Sequence, residues 1–321
     1  MSSCSKNGCN APDVGCSFGE LNLSDCDYWS SDTDPEKEEV INKESEVRLP
    51  WTGLALGLTD VEFISGCSKP IVVGIVGAEN AGKTSLLAAW YLLISKGLST
   101  KIQRRFAGSY SLAGWESISD GLRWEPGQPP CFPSHTPSSS RRSPGLLHIT
   151  FQNQATGNAQ EYLFADAPGE WFGKWALNSE STEAEGARWL AKNADMFLLM
   201  ADRDALSGKS KGRARSEFKR LVQRLGGELN GRPIALVWTK GDIVEDETMI
   251  NSIRDSTYSV IPEACEFQIQ VLPNSENETP ESGLLELLSW VVEQESLKVK
   301  LPELQYTGQD PFFMFGCRNL M

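Results

Sequence analysis

A run of β-branched residues, Ile71-Val72-Val73-Gly74-Ile75-Val76, passes directly into Gly77-Ala78-Glu79-Asn80-Ala81-Gly82-Lys83-Thr84. No other feature of the chain restricts its fold as strongly. Such a run suits a strand buried on both faces, and strands of that kind belong to parallel sheets covered by helices. The residues after it read G-x-x-x-x-G-K-[ST], and a helical pattern follows over Lys83–Ser95. The glycines let the backbone curl until several N–H groups point inward, and the helix N-terminus adds the positive end of its dipole. The expected product is a phosphate cradle built from Gly77, Glu79, Asn80, Ala81, Gly82, Lys83, Thr84 and Ser85. Lys83 is expected to reach the β- and γ-phosphates, and Thr84 to hold Mg²⁺ through its hydroxyl.

Beyond the cradle, short apolar runs alternate with helical stretches. Strands are expected at 146–152 and 161–165, joined by a turn at 156–158, and again at 195–200, 233–238 and 267–271. Helices are expected at 182–193, 216–225, 248–260 and 283–293. A long segment at roughly 98–145, rich in Pro, Ser and Gly, intervenes before them. Strands alternating with helices imply an α/β fold with a mostly parallel central sheet between two helical layers.

Two further motifs end predicted strands. Asp166-Ala167-Pro168-Gly169 reads D-x-x-G: the Asp would bind Mg²⁺ through water, and the Gly169 N–H would contact the γ-phosphate. Glu170 comes next, where Ras-like enzymes carry a glutamine that orients the attacking water. It is a candidate base or water acceptor, or a sign of slow hydrolysis. Trp171 and Phe172 after it are either a surface read by a partner or cover for the core. Thr239-Lys240-Gly241-Asp242 reads [NT]-K-x-D. Asp242 would accept two hydrogen bonds from the guanine N1–H and amine, a donor pair adenine lacks, and Lys240 would lay its stem over the base. Guanine is therefore expected over adenine, with GTP and GDP as ligands. Ser275 is a guess for a further base contact.

A Thr between the cradle and D-x-x-G is needed to sense Mg²⁺ and γ-phosphate, and Thr136 in a loop before the strand at 146 is the choice. Asn80 resembles the cradle asparagine of GTPases that use K⁺, against the plainer reading of a residue that suits a turn. Arg104 or Arg105 could supply a charge to the reaction in cis.

The remaining segments speak to partners. Four of the eight cysteines, Cys4, Cys9, Cys16 and Cys26, are spaced C-x4-C-x6-C-x9-C in residues 1–26. Four thiolates in a short segment could close a tetrahedral Zn²⁺ site whose binding energy folds it, although no C-x2-C pair is present. Residues 27–46 read as an acidic linker, 47–300 as the main domain and 301–321 as a tail. The formal charge of −13 argues against nucleic acid as the default partner. The basic residues between Lys209 and Arg224 read as a solvated helix face or as a patch for an acidic partner. No apolar run is long enough to span a bilayer, and the first residues lack a secretory signal, so a cytoplasmic, non-integral protein is expected.

These residues resemble the bacterial double-GTPase family, second type. The resemblance rests on the cradle, on Phe106-Ala107-Gly108-Ser109-Tyr110-Ser111-Leu112-Ala113-Gly114-Trp115-Glu116, and on Phe164-Ala165-Asp166-Ala167-Pro168-Gly169-Glu170-Trp171-Phe172. It implies a P-loop NTPase (Ras-like GTPase) fold and protein partners from multi-gene bacterial systems that act against phage. A Mg²⁺-dependent GTP-hydrolysing switch is the expectation, with a GTP-loaded scaffold of little turnover as the alternative. A membrane-remodelling GTPase is disfavoured, since the chain lacks a long helical stalk.

Overall fold

The computed structural model describes residues 3–6, 9, 22–30, 55–66, 68–123, 131–133, 144–243, 247–271 and 281–294. Thr136, Cys16 and Ser275, and the side chain of Cys4, lie outside the described residues. The chain divides into two compact units, Met1–Leu49 and Pro50–Met321.

In the first unit, β1 (Ser3–Cys4) pairs antiparallel with β2 (Trp29–Ser30), Cys4 opposite Trp29. Ser5 N–H donates to the Tyr28 carbonyl at 2.9 Å, and the Lys6 ammonium stands 5.0 Å from the centre of the Tyr28 ring.

The second unit is built on a sheet ordered β4-β5-β6-β3-β7-β8-β9. Its strands are β3 (Ile71–Val76), β4 (Arg104–Gly108), β5 (Gly145–Asn153), β6 (Ala159–Asp166), β7 (Met196–Asp202), β8 (Ile234–Thr239) and β9 (Cys265–Gln268). β3 runs parallel to β6 and β7, and β7-β8-β9 continue parallel. β4-β5-β6 are antiparallel. The helices are α1 (Leu58–Ser65), α2 (Lys83–Ser95), α3 (Leu112–Ser119), α4 (Gly169–Leu177), α5 (Glu185–Asn193), α6 (Arg203–Ser207), α7 (Lys211–Glu228), α8 (Glu247–Tyr258) and α9 (Glu281–Glu293).

The pleat sorts the central strands into two cores. Val72 and Val76 of β3, with Phe197, Leu199 and Ala201 of β7, face the layer of α4, α5, α7 and α8. Ile71, Val73 and Ile75, with Met196, Leu198 and Met200, face α2, α3 and α9. Alternate residues of one strand thus serve opposite faces, and the fold is the three-layer P-loop α/β architecture. On the second face, Trp90 and Trp115 both meet Phe164 edge-on, at 5.6 and 5.8 Å between ring centres. Pairs of this geometry contribute about 0.5–1.5 kcal/mol beyond the area they bury. Trp90 Nε1 also donates to the Leu284 carbonyl at 2.8 Å, tying α2 to α9.

Helices α1 and α6 were not expected from the sequence, and three further departures bear on the site and the core. The segment at 98–145 is not bare: it contributes edge strand β4 and helix α3. Helix α4 begins on Gly169 itself, and Trp171, Phe172 and Trp175 are buried in the core under it. Gly186 of α5 leaves the room that the Trp171 ring fills. The final strand starts earlier than expected, at Cys265, because Glu266 anchors it. That carboxylate accepts from Arg254 of α8, from Trp238 Nε1 at 2.7 Å and from the Tyr258 hydroxyl at 3.2 Å. These donors, Arg254 first, hold its pKa below the usual range.

Candidate functional site

The cradle is shaped by two left-handed residues and one close approach. Gly82 caps the start of α2 at φ 84°, a conformation open to glycine at little cost. Asn80 sits at φ 60°, which asparagine tolerates better than most residues. At Gly77 a Cβ would stand 2.8 Å from that of Met200, so β7 could not lie this close beside any other residue.

Lys83 folds back over the loop. Its Nζ donates to the Ala78 carbonyl at 2.7 Å and the Gly77 carbonyl at 3.2 Å, and stands 6.0 Å from the centre of the Phe172 ring. Burial lowers its pKa to about 8, against the upward pull of Asp166, Glu170 and Glu79. The carboxylates sustain the charge that desolvation opposes. Thr84 Oγ1 donates to Asp166 Oδ1 at 3.0 Å, which joins the end of the cradle to the end of β6. A hydroxyl and a carboxylate so placed are hard oxygen donors of the kind Mg²⁺ takes, usually with waters and phosphate oxygens completing the shell.

Gly169 rests on the cradle. A Cβ there would collide with the backbone of Ala78 and Glu79. The D-x-x-G glycine is therefore a steric requirement of the contact between α4 and the loop.

The other wall comes from β8 and β9. Thr239 is buried, and its hydroxyl reaches the Ala201 carbonyl at 3.5 Å. Lys240 is left-handed at φ 56°, and its Nζ pairs with Asp202 Oδ2 at 2.7 Å and Asp204 Oδ2 at 3.6 Å. Asp202, only 6% exposed, also accepts from the backbone N–H groups of Asp204 and Ala205 at the start of α6. Gly241 N–H donates to the Ile269 carbonyl at 3.3 Å.

Between these walls lies a cavity of about 320 Å³. Residues 80–85 line it from the cradle, Gly169 from α4, and Thr239, Lys240 and Asp242 from the far side. Lys83 and Asp242 thus open onto one space from opposite elements. Glu79 and Glu170 line a second cavity instead, of about 420 Å³, beside α4, α6 and α7. Of the arginines considered for the reaction, Arg104 donates to the Val292 carbonyl at 3.2 Å, and neither it nor Arg105 lines the first cavity. On the basic stretch, Arg213 pairs with Glu217, and Arg215 donates to the Leu206 carbonyl. That accords with a helix face engaged locally.

Sequence reasoning passed over Gln270 and the pair Phe132 and Pro133, which line the cavity, and Asp202, which pairs with Lys240 beside it. Asp202 had a signal, an aspartate between a strand and a short helix where N-caps sit. Gln270 lay inside a predicted strand, where only its apolar neighbours were counted. No group of three or more His, Cys, Asp or Glu gathers as a metal site among the described residues, and no described helix is long and apolar enough to cross a membrane.

Comparison with solved structures finds an Era variant from Aquifex aeolicus bound to GDP·AlF4⁻. It is 17% identical at a TM-score of 0.34, over 69% of this chain and 55% of that one. Era in complex with MgGDPNP and a 16S ribosomal RNA segment gives 17% identity and a TM-score of 0.35, over 72% and 59%. The match spans little more than half of either solved chain. Among curated protein sequences nothing matches. The family model Double-GTPase 2 matches residues 71–291, from β3 through α9, taking in the cradle, the Ser109–Trp115 region and both later motifs; the chain belongs to the Double-GTPase 2 family of GTPases.

Proposed function

We propose that this GTPase binds GTP in the 320 Å³ cavity and hydrolyses it slowly, as a nucleotide-dependent switch acting on protein partners. The observation that carries the reading is that Lys83 and Asp242 line one cavity, with Gly169 seated on the Ala78–Glu79 backbone of the cradle. The triphosphate would lie along residues 80–85, and the base between Lys240 and Asp242. Mg²⁺, held by Thr84 and through Asp166, would neutralise charge on the β- and γ-oxygens. Lys83 would give up its carbonyl partners for phosphate oxygens. In the reaction a water oxygen bonds to the γ-phosphorus, the bond from that phosphorus to the bridging oxygen breaks, and GDP and phosphate leave. The water's proton goes to Glu170 or to the phosphate itself. Thr136 is proposed to close over Mg²⁺ and γ-phosphate, and Asn80, lining the cavity, to help hold K⁺.

A GTP-loaded scaffold with little turnover is the second reading. What favours it is Glu170, which lines the neighbouring cavity and not the one proposed for the triphosphate.

The family resemblance supports partners from a multi-gene bacterial anti-phage system, and a cytoplasmic location is proposed beside it on the sequence reading given above. A Zn²⁺-binding head at residues 1–26, followed by a linker at 27–46 and the GTPase domain at 47–300, completes the proposal. In its support, Cys4 pairs across the β1–β2 ladder with Trp29, whose N–H donates to the Cys26 carbonyl at 2.9 Å.

The test is GTP and ATP turnover by the full chain with Mg²⁺, in KCl and in NaCl, beside Lys83→Ala. Hydrolysis that is GTP-selective and lost in Lys83→Ala is expected. Tight GTP binding without turnover would favour the scaffold, and equal use of ATP would remove the guanine assignment.

A further inference from the structure

β4 ends the sheet on one side: among the described residues only β5 pairs with it. An open edge offers a row of backbone N–H and C=O groups to any strand that can reach it. Phe106, in the middle of β4, stands opposite the buried Phe151 and is still 37% exposed. Its outer flank is open among the described residues. We propose that residues 297–301 of this same chain add to that edge as a further strand, parallel to β4.

The place where α9 ends supports this. The Val292 carbonyl, in the last turn of α9, accepts from Arg104 Nη2 and from the Tyr162 hydroxyl, each at 3.2 Å. Arg104 is the first residue of β4, so the chain leaves α9 beside the start of the edge strand. The five residues from Gln294 to Val299 reach up to about 17 Å, and the next strand position lies about 4.8 Å beyond β4.

The sequence there has the pattern of an outermost strand. Leu297-Lys298-Val299-Lys300-Leu301 alternates apolar and charged residues, and Pro302 closes the run. Phe106 shares the face of Phe151, which is the face α9 covers. With Leu297, Val299 and Leu301 on that face, the open flank of Phe106 is covered. Lys298 and Lys300 then join Arg105 on the other face, where solvent and salt screen like charges. Lysines on an outermost strand also discourage further pairing.

The connection has the expected hand. β7–α7–β8 and β8–α8–β9 advance toward the β9 margin over one face of the sheet. α9 starts from β9, packs on the opposite face and leads back toward β4. Reversing both face and direction preserves the hand, so a strand reached from α9 and parallel to β4 obeys the same crossover rule. A strand from another protein would add at this same edge, and residues 297–301 hold it closed.

Hydrogen exchange of the full chain, read by mass spectrometry over 104–108, tests the proposal in the wild type, Lys298→Pro and Val299→Pro. Successive N–H groups of a strand point to opposite sides, and proline is tolerated where the N–H faces outward. One of the two prolines is expected to speed exchange over 104–108 by about tenfold, and the other to leave it at the wild-type rate. Exchange in β7, at the centre of the sheet, is the control for an intact fold. Exchange over 104–108 that neither proline changes would overturn the proposal, since a segment that prolonged α9 or stood apart from β4 gives that result. Protection of 104–108 that is lost on dilution would overturn it too, by placing the added strand in a second copy.

Discussion

Trp115 is bound to His148: its indole N–H donates to the His148 carbonyl at 2.8 Å, in a setting where both side chains are buried. The same histidine takes three more bonds from the segment before α3. Ser109 Oγ donates to its carbonyl at 2.5 Å, Tyr110 N–H to its Nδ1 at 3.0 Å, and its own N–H donates to Ser111 Oγ at 2.8 Å. The Phe106–Glu116 block is thus a clasp closed on one residue of β5.

That clasp makes stability depend on pH. Nδ1 accepts a hydrogen bond, so the ring is held neutral, and burial lowers its pKa from 6.5 to about 4. The stability from the neutral ring is present above about pH 6.5 and is lost as pH falls toward 4, where the unfolded chain takes the proton first. The loss reaches about 3 kcal/mol at one unit per 1.36 kcal/mol. Urea unfolding at pH 7.5 and pH 5 should show His148→Asn, which retains an acceptor, less sensitive to acid than the wild type. His148→Phe should be weakened at both pH values by about 1–3 kcal/mol, because Tyr110 N–H loses its partner. Equal acid sensitivity in wild type and His148→Asn would refute the assignment.

Lys83 titrates in the range of an ordinary assay. Its pKa of about 8 will rise when phosphate replaces two carbonyls as its partner. Binding then takes up a proton, and affinity falls as pH rises through 8, by up to about tenfold per unit. Calorimetry at pH 8.5 in two buffers of different ionisation enthalpy reads the uptake directly. Lys83→Arg, which stays protonated, should show none; a flat affinity from pH 7 to 9 in the wild type would contradict the argument.

Gly169→Ala tests the contact between α4 and the cradle. The added methyl must push α4 off the Ala78–Glu79 backbone, at about 1–3 kcal/mol of folding stability. Turnover should fall more than GTP affinity, since the displaced element carries Glu170. Thermal melts and single-turnover rates measured together decide it, and a variant with native Tm and rate would show that the two backbones can part freely.

Asp202→Asn separates two duties of one carboxylate. Asparagine caps a helix as well as aspartate does, so α6 and the melting temperature should be little changed. The ion pair with Lys240 is lost, and nucleotide affinity should drop on the order of tenfold. A large fall in Tm with unchanged affinity would reverse the roles assigned here.

The cradle, both later motifs and the central strands could be read directly because their signals are local. β-Branched runs and fixed glycine spacings carry their own geometry. β4 and α3 were missed for the opposite reason. Arg104-Arg105-Phe106-Ala107-Gly108 is a mostly exposed edge strand with no alternation to detect, and what fixes the segment is His148, far along the chain. The same holds for Asp202 and Lys240, which meet only because β7 and β8 are neighbours in the sheet. Helix α4, interrupted by Gly173 and opening on Gly169, has little intrinsic helical tendency. Its form comes from burying Trp171, Phe172 and Trp175.

The order of the sheet also works as a ruler. β4 stands at one margin and β9 at the other, and six intervals of about 4.8 Å put roughly 29 Å between them. Lys240 and Asp242, the residues proposed to read the base, follow β8 next to the β9 margin, and the Phe106–Glu116 block hangs from the β4 margin. A protein gripping that block therefore never meets the base. What it feels of the nucleotide must arrive through β5, β6 and α2. The outer margin can accordingly diversify to suit new partners while the choice of nucleotide stays untouched.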